Sequence, residues 1–198
     1  MVLYTEGNTA AFEEILRRHE NAVLNFVARF LGQRDVAEDV VQEVFIRVIK
    51  TADRYEKKAK FRTWLFTIAR NLCIDRKRKQ RRQPHVSLNQ TLSSDDEQGE
   101  TFLDRLVDDD TPDASSKSVR TEFRAKLQEA LSELPDEQRE VFTMREFSGM
   151  KFREIADVLG VSENTVKSRM RYALQTLRGH LADYRDFSFD REGARELS

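Results

Sequence analysis

The sequence predicts an all-α protein made of two small helical domains joined by a flexible acidic linker, and three observations predict it. Apolar residues recur every three or four positions through 8–82 and again through 119–182, the spacing of a buried helix face. Capping residues, glycines and prolines punctuate those stretches at helical lengths. Between them, over 83–118, the periodicity lapses into Pro84, Ser87, Ser93, Ser94, Gly99, Pro112, Ser115 and Ser116 among a run of acids. A chain of 198 residues, 39% of them hydrophobic, has apolar surface enough for two modest cores. Residues 183–198 are mixed in charge and are expected to fray.

The first helix starts at Asn8 or Thr9, either of which can cap it. It carries Phe12, Ile15, Leu16, Val23, Leu24, Phe26, Val27 and Phe30 on its apolar face and ends at Gly32. The second starts at Asp35, with Glu38 three residues on as in a capping box, and turns Val36, Val40, Val44, Phe45, Val48 and Ile49 inward as far as Thr51. The third runs from about Arg62 to Arg82 and buries Leu65, Ile68, Leu72 and Trp64. Within the linker, Phe102, Leu103, Leu106 and Val107 can make one short docking turn. Helix resumes through Phe123, Leu127, Ala130, Leu131 and Leu134. Pro135 and Asp136 stop it and start the next, which carries Val141, Phe142, Met144 and Phe147 up to Ser148-Gly149.

Residues 152–169 then read as a helix-turn-helix. Ala156 is small enough for the two helices to cross closely, Gly160 can take the left-handed turn, and Ser162 can cap the second helix. In that second helix Val166, Met170, Ala173, Leu174, Leu177 and Leu181 form one apolar stripe for the core. The opposite face carries Asn164, Lys167, Ser168, Arg171, Tyr172, Gln175 and Arg178. A recognition helix reads bases with its first turns and meets phosphate with later cations, so duplex DNA is the expected ligand and Asn164, Lys167, Ser168 and Arg171 the base-edge candidates. An ordinary amphipathic surface helix is the bland alternative.

Charge is segregated although the net is only −1. A basic block of Lys57, Lys58, Lys60, Arg62, Arg70, Arg76, Lys77, Arg78, Lys79, Arg81 and Arg82 precedes an acidic one running from Asp95 to Asp113. Beside a helix-turn-helix, the basic block is best read as a second nucleic-acid surface. Tyr55, Phe61, Trp64 and Phe66 are interleaved with Arg54, Lys57, Lys58, Lys60 and Arg62, the pairing of stacking rings with backbone-tracking cations that suits single strands. Phe61 also has core spacing with Leu65, Ile68 and Leu72, which leaves the loop from Asp53 to Lys60 as the stronger place for an extruded base. Cys73 is the single cysteine, so no intramolecular disulfide or thiolate metal site can form, and its apolar neighbours point to a buried, inert thiol. No apolar run is long enough to span a membrane, and the N-terminus lacks a signal-peptide pattern, so a cytoplasmic protein is expected.

The stretches 35–45 and 61–71, then Leu134-Pro135, then the helix-turn-helix, resemble conserved regions two and four of bacterial sigma-70-type sigma factors, in the family's order and across both domains. The likeness is strongest to the compact extracytoplasmic-function (ECF) group. It implies region two over 8–82, an acidic linker over 83–118 and region four over 119–182. It implies a subunit with no active site, cofactor or metal of its own. Core RNA polymerase would be the partner, through the clamp helices of its largest subunit and the flap of its second-largest, with promoter DNA and an anti-sigma factor as further partners and no insertion in a membrane.

For polymerase docking the resemblance points to Asp35, Glu38, Asp39, Gln42, Glu43 and Phe45, where the charged members otherwise make a solvated face. For the minus-ten element it points to Arg54, Tyr55, Lys57, Lys58, Lys60, Phe61, Arg62 and Trp64, with Arg70, Asn71, Asp75 and Arg78 along the third helix. For the minus-35 element it points to Ser162, Asn164, Thr165, Lys167, Ser168, Arg169, Arg171 and Tyr172. Housekeeping members carry paired tryptophans for melting, and this chain has only Trp64, so stricter promoter choice is expected. Asn164 stands where many relatives have glycine, which leaves the base preference there open.

Reach is compatible with this reading. A linker of about 36 extended residues spans on the order of 120 Å. Promoter elements about 24 base pairs apart lie about 80 Å apart along a duplex. Two other classes fit less of the sequence. A carboxylate-bridged metal enzyme, suggested by Glu13, Glu14, Glu38 and Glu43, needs Glu-x-x-His pairs that His19, His85 and His180 do not supply. A ligand- or phosphate-sensing regulator with a C-terminal helix-turn-helix would show alternating strands and helices in its first half, and none is visible.

Overall fold

The computed structural model describes residues 1–56, 60–82 and 114–182, and these contain helices and turns but no strand. The docking turn at 102–107, most of the linker, the tail 183–198 and the two cations Lys57 and Lys58 lie outside the described residues.

A short helix α1 (Val2–Thr5), absent from the sequence reading, lays Tyr4 on Phe12 at 5.3 Å between ring centres. Helix α2 (Ala10–Leu31) has Thr9 at its N-cap without a side-chain cap bond; it is Asn8 whose Oδ1 accepts from the Ala11 amide at 3.2 Å. Gly32 ends the helix at φ 75°, a left-handed conformation that glycine alone adopts without steric cost. Helix α3 (Arg34–Lys50) starts after Gln33, also without a side-chain cap. Asp35 therefore sits inside the first turn, and the expected capping-box start is not the one used. Helix α4 (Phe61–Arg82) completes the first bundle.

The core of that bundle is aromatic at its centre. Phe26, fully buried, meets Phe30 at 5.7 Å and Phe66 at 5.6 Å, and Val23, Val27, Val44, Val48, Leu65 and Ala69 are buried in the same cluster. Such offset ring pairs stabilise beyond their buried area. Phe66 thus belongs to the core and not among the strand-stacking rings, and Trp64 is only half-buried. Cys73 is fully buried, and burial pushes its thiol up to about 12 against a smaller pull from Lys77. Alkylation of the native protein with iodoacetamide at pH 8 should be slow and should become rapid in denaturant; fast native labelling would place Cys73 outside the core.

The second half is four-helical. Helix α5 (Ala114–Glu133) begins five residues before 119. Its C-terminal carbonyls are collected by one side chain: Arg139 donates to the oxygens of Leu131 at 2.6 Å, Ser132 at 2.6 Å and Leu134 at 2.8 Å. Pro135 then sits at the N-cap of α6 (Asp136–Phe142), which continues as a π-helical turn over Thr143–Phe147. Helices α7 (Phe152–Leu159) and α8 (Glu163–His180) follow. Phe142, Met144, Ile155, Val166, Met170, Ala173 and Leu177 are buried among them.

The two halves are in contact. Buried apolar residues of both belong to one continuous cluster, and α2 and α4 pack against α6, the π turn and α7. Arg29 of α2 lies over the Phe147 ring at 3.8 Å, and the Ser148 hydroxyl donates to the Ala22 carbonyl at 3.4 Å.

Candidate nucleic-acid interface

The helix-turn-helix forms as its residues require. Phe152, Ile155 and Val158 give α7 one buried face, and the Lys151 amide donates to Glu154 Oε2 at 3.1 Å, the return half of a capping box. Gly160 turns the chain at φ 67°. Ser162 Oγ accepts from the Thr165 amide at 3.1 Å and so opens α8. Ser162→Ala should cost about 1 kcal/mol of stability in chemical denaturation. A loss of nearly zero would mean that the Ser162 hydroxyl, which also lies 2.9 Å from Thr165 Oγ1, contributes no net capping energy to α8.

On α8, Val166, Met170, Ala173 and Leu177 are buried, as the stripe predicts, and Leu181 beyond its end is buried too. The polar face is available. Asn164, Arg171 and Tyr172 are exposed; Lys167 reaches Glu163 at 3.5 Å, and the Arg171 guanidinium lies 5.6 Å from the Tyr172 ring centre. Thr165 and Ser168 are half-buried beside them. Arg169 departs from the set: half-buried, it faces exposed Glu137 at 3.4 Å and buried Glu140 at 4.0 Å.

At the start of α4, Tyr55, Phe61 and Trp64 gather into one half-buried aromatic group, with ring centres 5.2 Å apart for Tyr55–Trp64, 5.7 Å for Tyr55–Phe61 and 5.8 Å for Phe61–Trp64. Phe61 also meets His19 at 5.4 Å, and each of the three rings is half-buried. Arg54 beside them is exposed. Further along α4, Asn71, Asp75 and Arg78 are exposed on neighbouring turns.

The other cations of this face are engaged by the second half. Lys60 reaches Glu154 at 2.7 Å, and Arg62 reaches the Gly149 carbonyl at 3.4 Å while its buried Nε has no hydrogen-bond partner among the described residues. Arg70 makes a forked pair with Glu140 at 2.7 and 3.3 Å, and Lys77 reaches Asp136 at 2.5 Å. Glu140 is buried, which pushes its carboxyl upward although Arg70 pulls it back. Burial acts the same way on Asp136 and Glu154. There the neighbouring cations prevail, with Lys77, Arg139 and Arg81 around one and Lys60 and Arg62 beside the other, and both carboxyls fall below their ordinary range.

On α3, Glu38, Asp39, Gln42 and Glu43 are exposed along one face. Phe45 is not on it: it is 6% exposed and meets Phe12 edge-on at 6.5 Å, so it supports that face from within. Two residues missed by the sequence reading complete the face. Ile46 is 49% exposed and Ile49 41%, and both follow Gln42 and Glu43 at helical spacing. Ile49 had been expected to point inward. An apolar residue three or four positions beyond a polar pair was the signal for Ile46.

No described helix is long and apolar enough to cross a membrane, and no group of three or more His, Cys, Asp or Glu among the described residues is placed to hold a metal.

Residues 15–83 match Sigma-70 region 2, and residues 124–177 match Sigma-70 region 4. The chain is 31% identical over 179 residues to the ECF RNA polymerase sigma factor SigW of Bacillus subtilis, covering 90% of this chain and 92% of SigW. It is 33% identical over 178 residues to the ECF RNA polymerase sigma factor SigL of Mycobacterium tuberculosis, covering 87% and 92%. Among solved structures, the sigma factor RpoE of Bartonella quintana, in complex with the anti-sigma factor NepR, has a similar fold: TM-score 0.67 at 23% identity, covering 87% of this chain and 97% of that one.

Proposed function

Because this chain belongs to the sigma-70 family of RNA polymerase sigma factors, in its extracytoplasmic-function group, we propose that it is a promoter-recognition subunit. It binds core RNA polymerase, recognises minus-35 and minus-ten elements and promotes strand opening. The observation that carries this reading is the presence on one chain of two different nucleic-acid faces in the family's order. One is the capped helix α8 with Asn164, Lys167, Ser168 and Arg171 outward; the other is the aromatic and cationic start of α4.

The first turns of α8 take the minus-35 base edges, and Arg54, Tyr55, Phe61, Trp64, Asn71, Asp75 and Arg78 take the minus-ten strand. The α3 face of Glu38, Asp39, Gln42 and Glu43, with Ile46 and Ile49 beside them, docks on the clamp helices; an apolar pair within an acidic surround suits a basic, partly apolar partner helix. Region four meets the flap. Catalysis belongs to the polymerase, so the chain is no enzyme, and it acts in the cytoplasm under the control of an anti-sigma protein.

Run-off transcription with core polymerase on a promoter library tests this. Discrete start sites that vanish when the protein is omitted are expected. A chain that binds a duplex operator tightly alone and gives no start site would instead be a regulator of the helix-turn-helix kind.

A further inference from the structure

The apolar stripe of α2 is interrupted by a histidine. Ile15, Val23 and Val27 are buried at four-residue steps, and His19 occupies the step between the first two. A leucine or valine there would complete the face. His19 is instead half-buried, and its ring lies 5.4 Å from that of Phe61, inclined at 53°. Helix α2 thus adds a fourth ring to the group that Tyr55, Phe61 and Trp64 form at the start of α4.

A histidine on a helix's inner face is ordinarily satisfied by a hydrogen bond within the protein. This one is not: among the described residues neither ring nitrogen has a hydrogen-bond partner, and the ring's one directional contact is with Phe61. Burial, and then the positive charges of Arg62 on α4 and Arg18 on α2, hold the imidazole below its ordinary range, so the ring is neutral at pH 7. A neutral imidazole offers one donor and one acceptor. Phosphate can use only the donor, whereas the edge of an unpaired base can use both.

We propose that His19 is a further base-reading residue of the minus-ten surface, packing on Phe61 and offering its ring nitrogens to the edge of an unpaired base held against the Tyr55–Phe61–Trp64 group. The three other rings supply stacking, which tolerates any base; the histidine supplies the choice among bases. Its contribution comes from α2, more than thirty residues before Tyr55, and only the packing of α2 on α4 brings it to the strand. This inference rests on the assignment of that aromatic group to the minus-ten strand.

Transcription by core polymerase with the full-length chain, from a library randomised through the minus-ten region and tagged with transcribed barcodes, tests it. His19→Phe keeps a ring against Phe61, and His19→Leu suits the stripe; both remove the nitrogens. Each variant should lose about fivefold of the base preference at one position of the minus-ten element and leave the other positions unchanged. Each should melt no lower than the wild type, because an apolar side chain fits that face of α2 at least as well.

A base preference unchanged at every position in both variants overturns the proposal and leaves the promoter reading standing. A lower melting temperature with output reduced evenly across all positions also overturns it, since His19 would then serve the core alone. If the wild-type chain selects no minus-ten sequence at all, the promoter reading falls and this one with it.

Discussion

Lys167→Ala with Arg171→Ala should reduce transcription from promoters that depend on a minus-35 element on the order of 10²-fold. Each base-edge cation in a recognition helix is worth about 1–3 kcal/mol, and the two side chains stand one turn apart on the exposed face of α8. Their contacts within the protein are weak: a solvent-exposed approach of Lys167 to Glu163 at 3.5 Å, and Arg171 near its neighbour Tyr172. Stability should therefore hardly change, and the loss should fall on DNA binding. Run-off assays on promoters with and without a minus-35 element, with a thermal melt alongside, separate the two. An unchanged output on the minus-35-dependent promoter would move the reading surface off this face. Arg178→Ala, two turns further along, should lose much less.

Phe26→Ala is the largest structural loss expected. The ring is fully buried between Phe30 and Phe66 at the centre of region two, and its removal leaves a cavity that the α2, α3 and α4 backbones are too constrained to fill. A cost of about 3–5 kcal/mol is expected. That is a large share of the roughly 5–15 kcal/mol that holds a domain folded. Urea unfolding followed by circular dichroism should show the loss, whereas Ile46→Ala on the exposed α3 face should shift the midpoint little. Near-neutral behaviour of Phe26→Ala would mean that this aromatic centre is not the core.

Much of the molecule was legible because helices advertise themselves locally. The stops at Gly32 and Gly160, the Ser162 cap and the buried stripe Val166–Met170–Ala173–Leu177 each depend on residues within a turn or two of one another. The misreadings share a cause. Phe45, Phe66 and Ile49 all lie on helices whose direction was correctly read, but which neighbour covers a given face is settled by residues far away in sequence. Phe66 is taken inward by Phe26, Phe45 by Phe12 as its place in the apolar stripe required although it also stood among the docking residues, and Ile49 is left 41% exposed. Asp35 looked like a cap because its type and the spacing to Glu38 were right, yet the helix had already begun at Arg34.

By itself the sequence determined the helical class, the two-part organisation, the helix-turn-helix with its capped second helix and the segregation of charge, since periodicity, capping and net charge are properties of neighbouring residues. Only the tertiary structure decided where those charges go. Arg62, Arg70, Lys77 and Arg169 read as free cations along the chain; in the fold they meet Gly149, Glu140, Asp136 and Glu137. The physical reason is that ion pairing is a through-space choice between competing acceptors, and residues 70 and 140 acquire a mutual energy only after two helical bodies have been brought face to face.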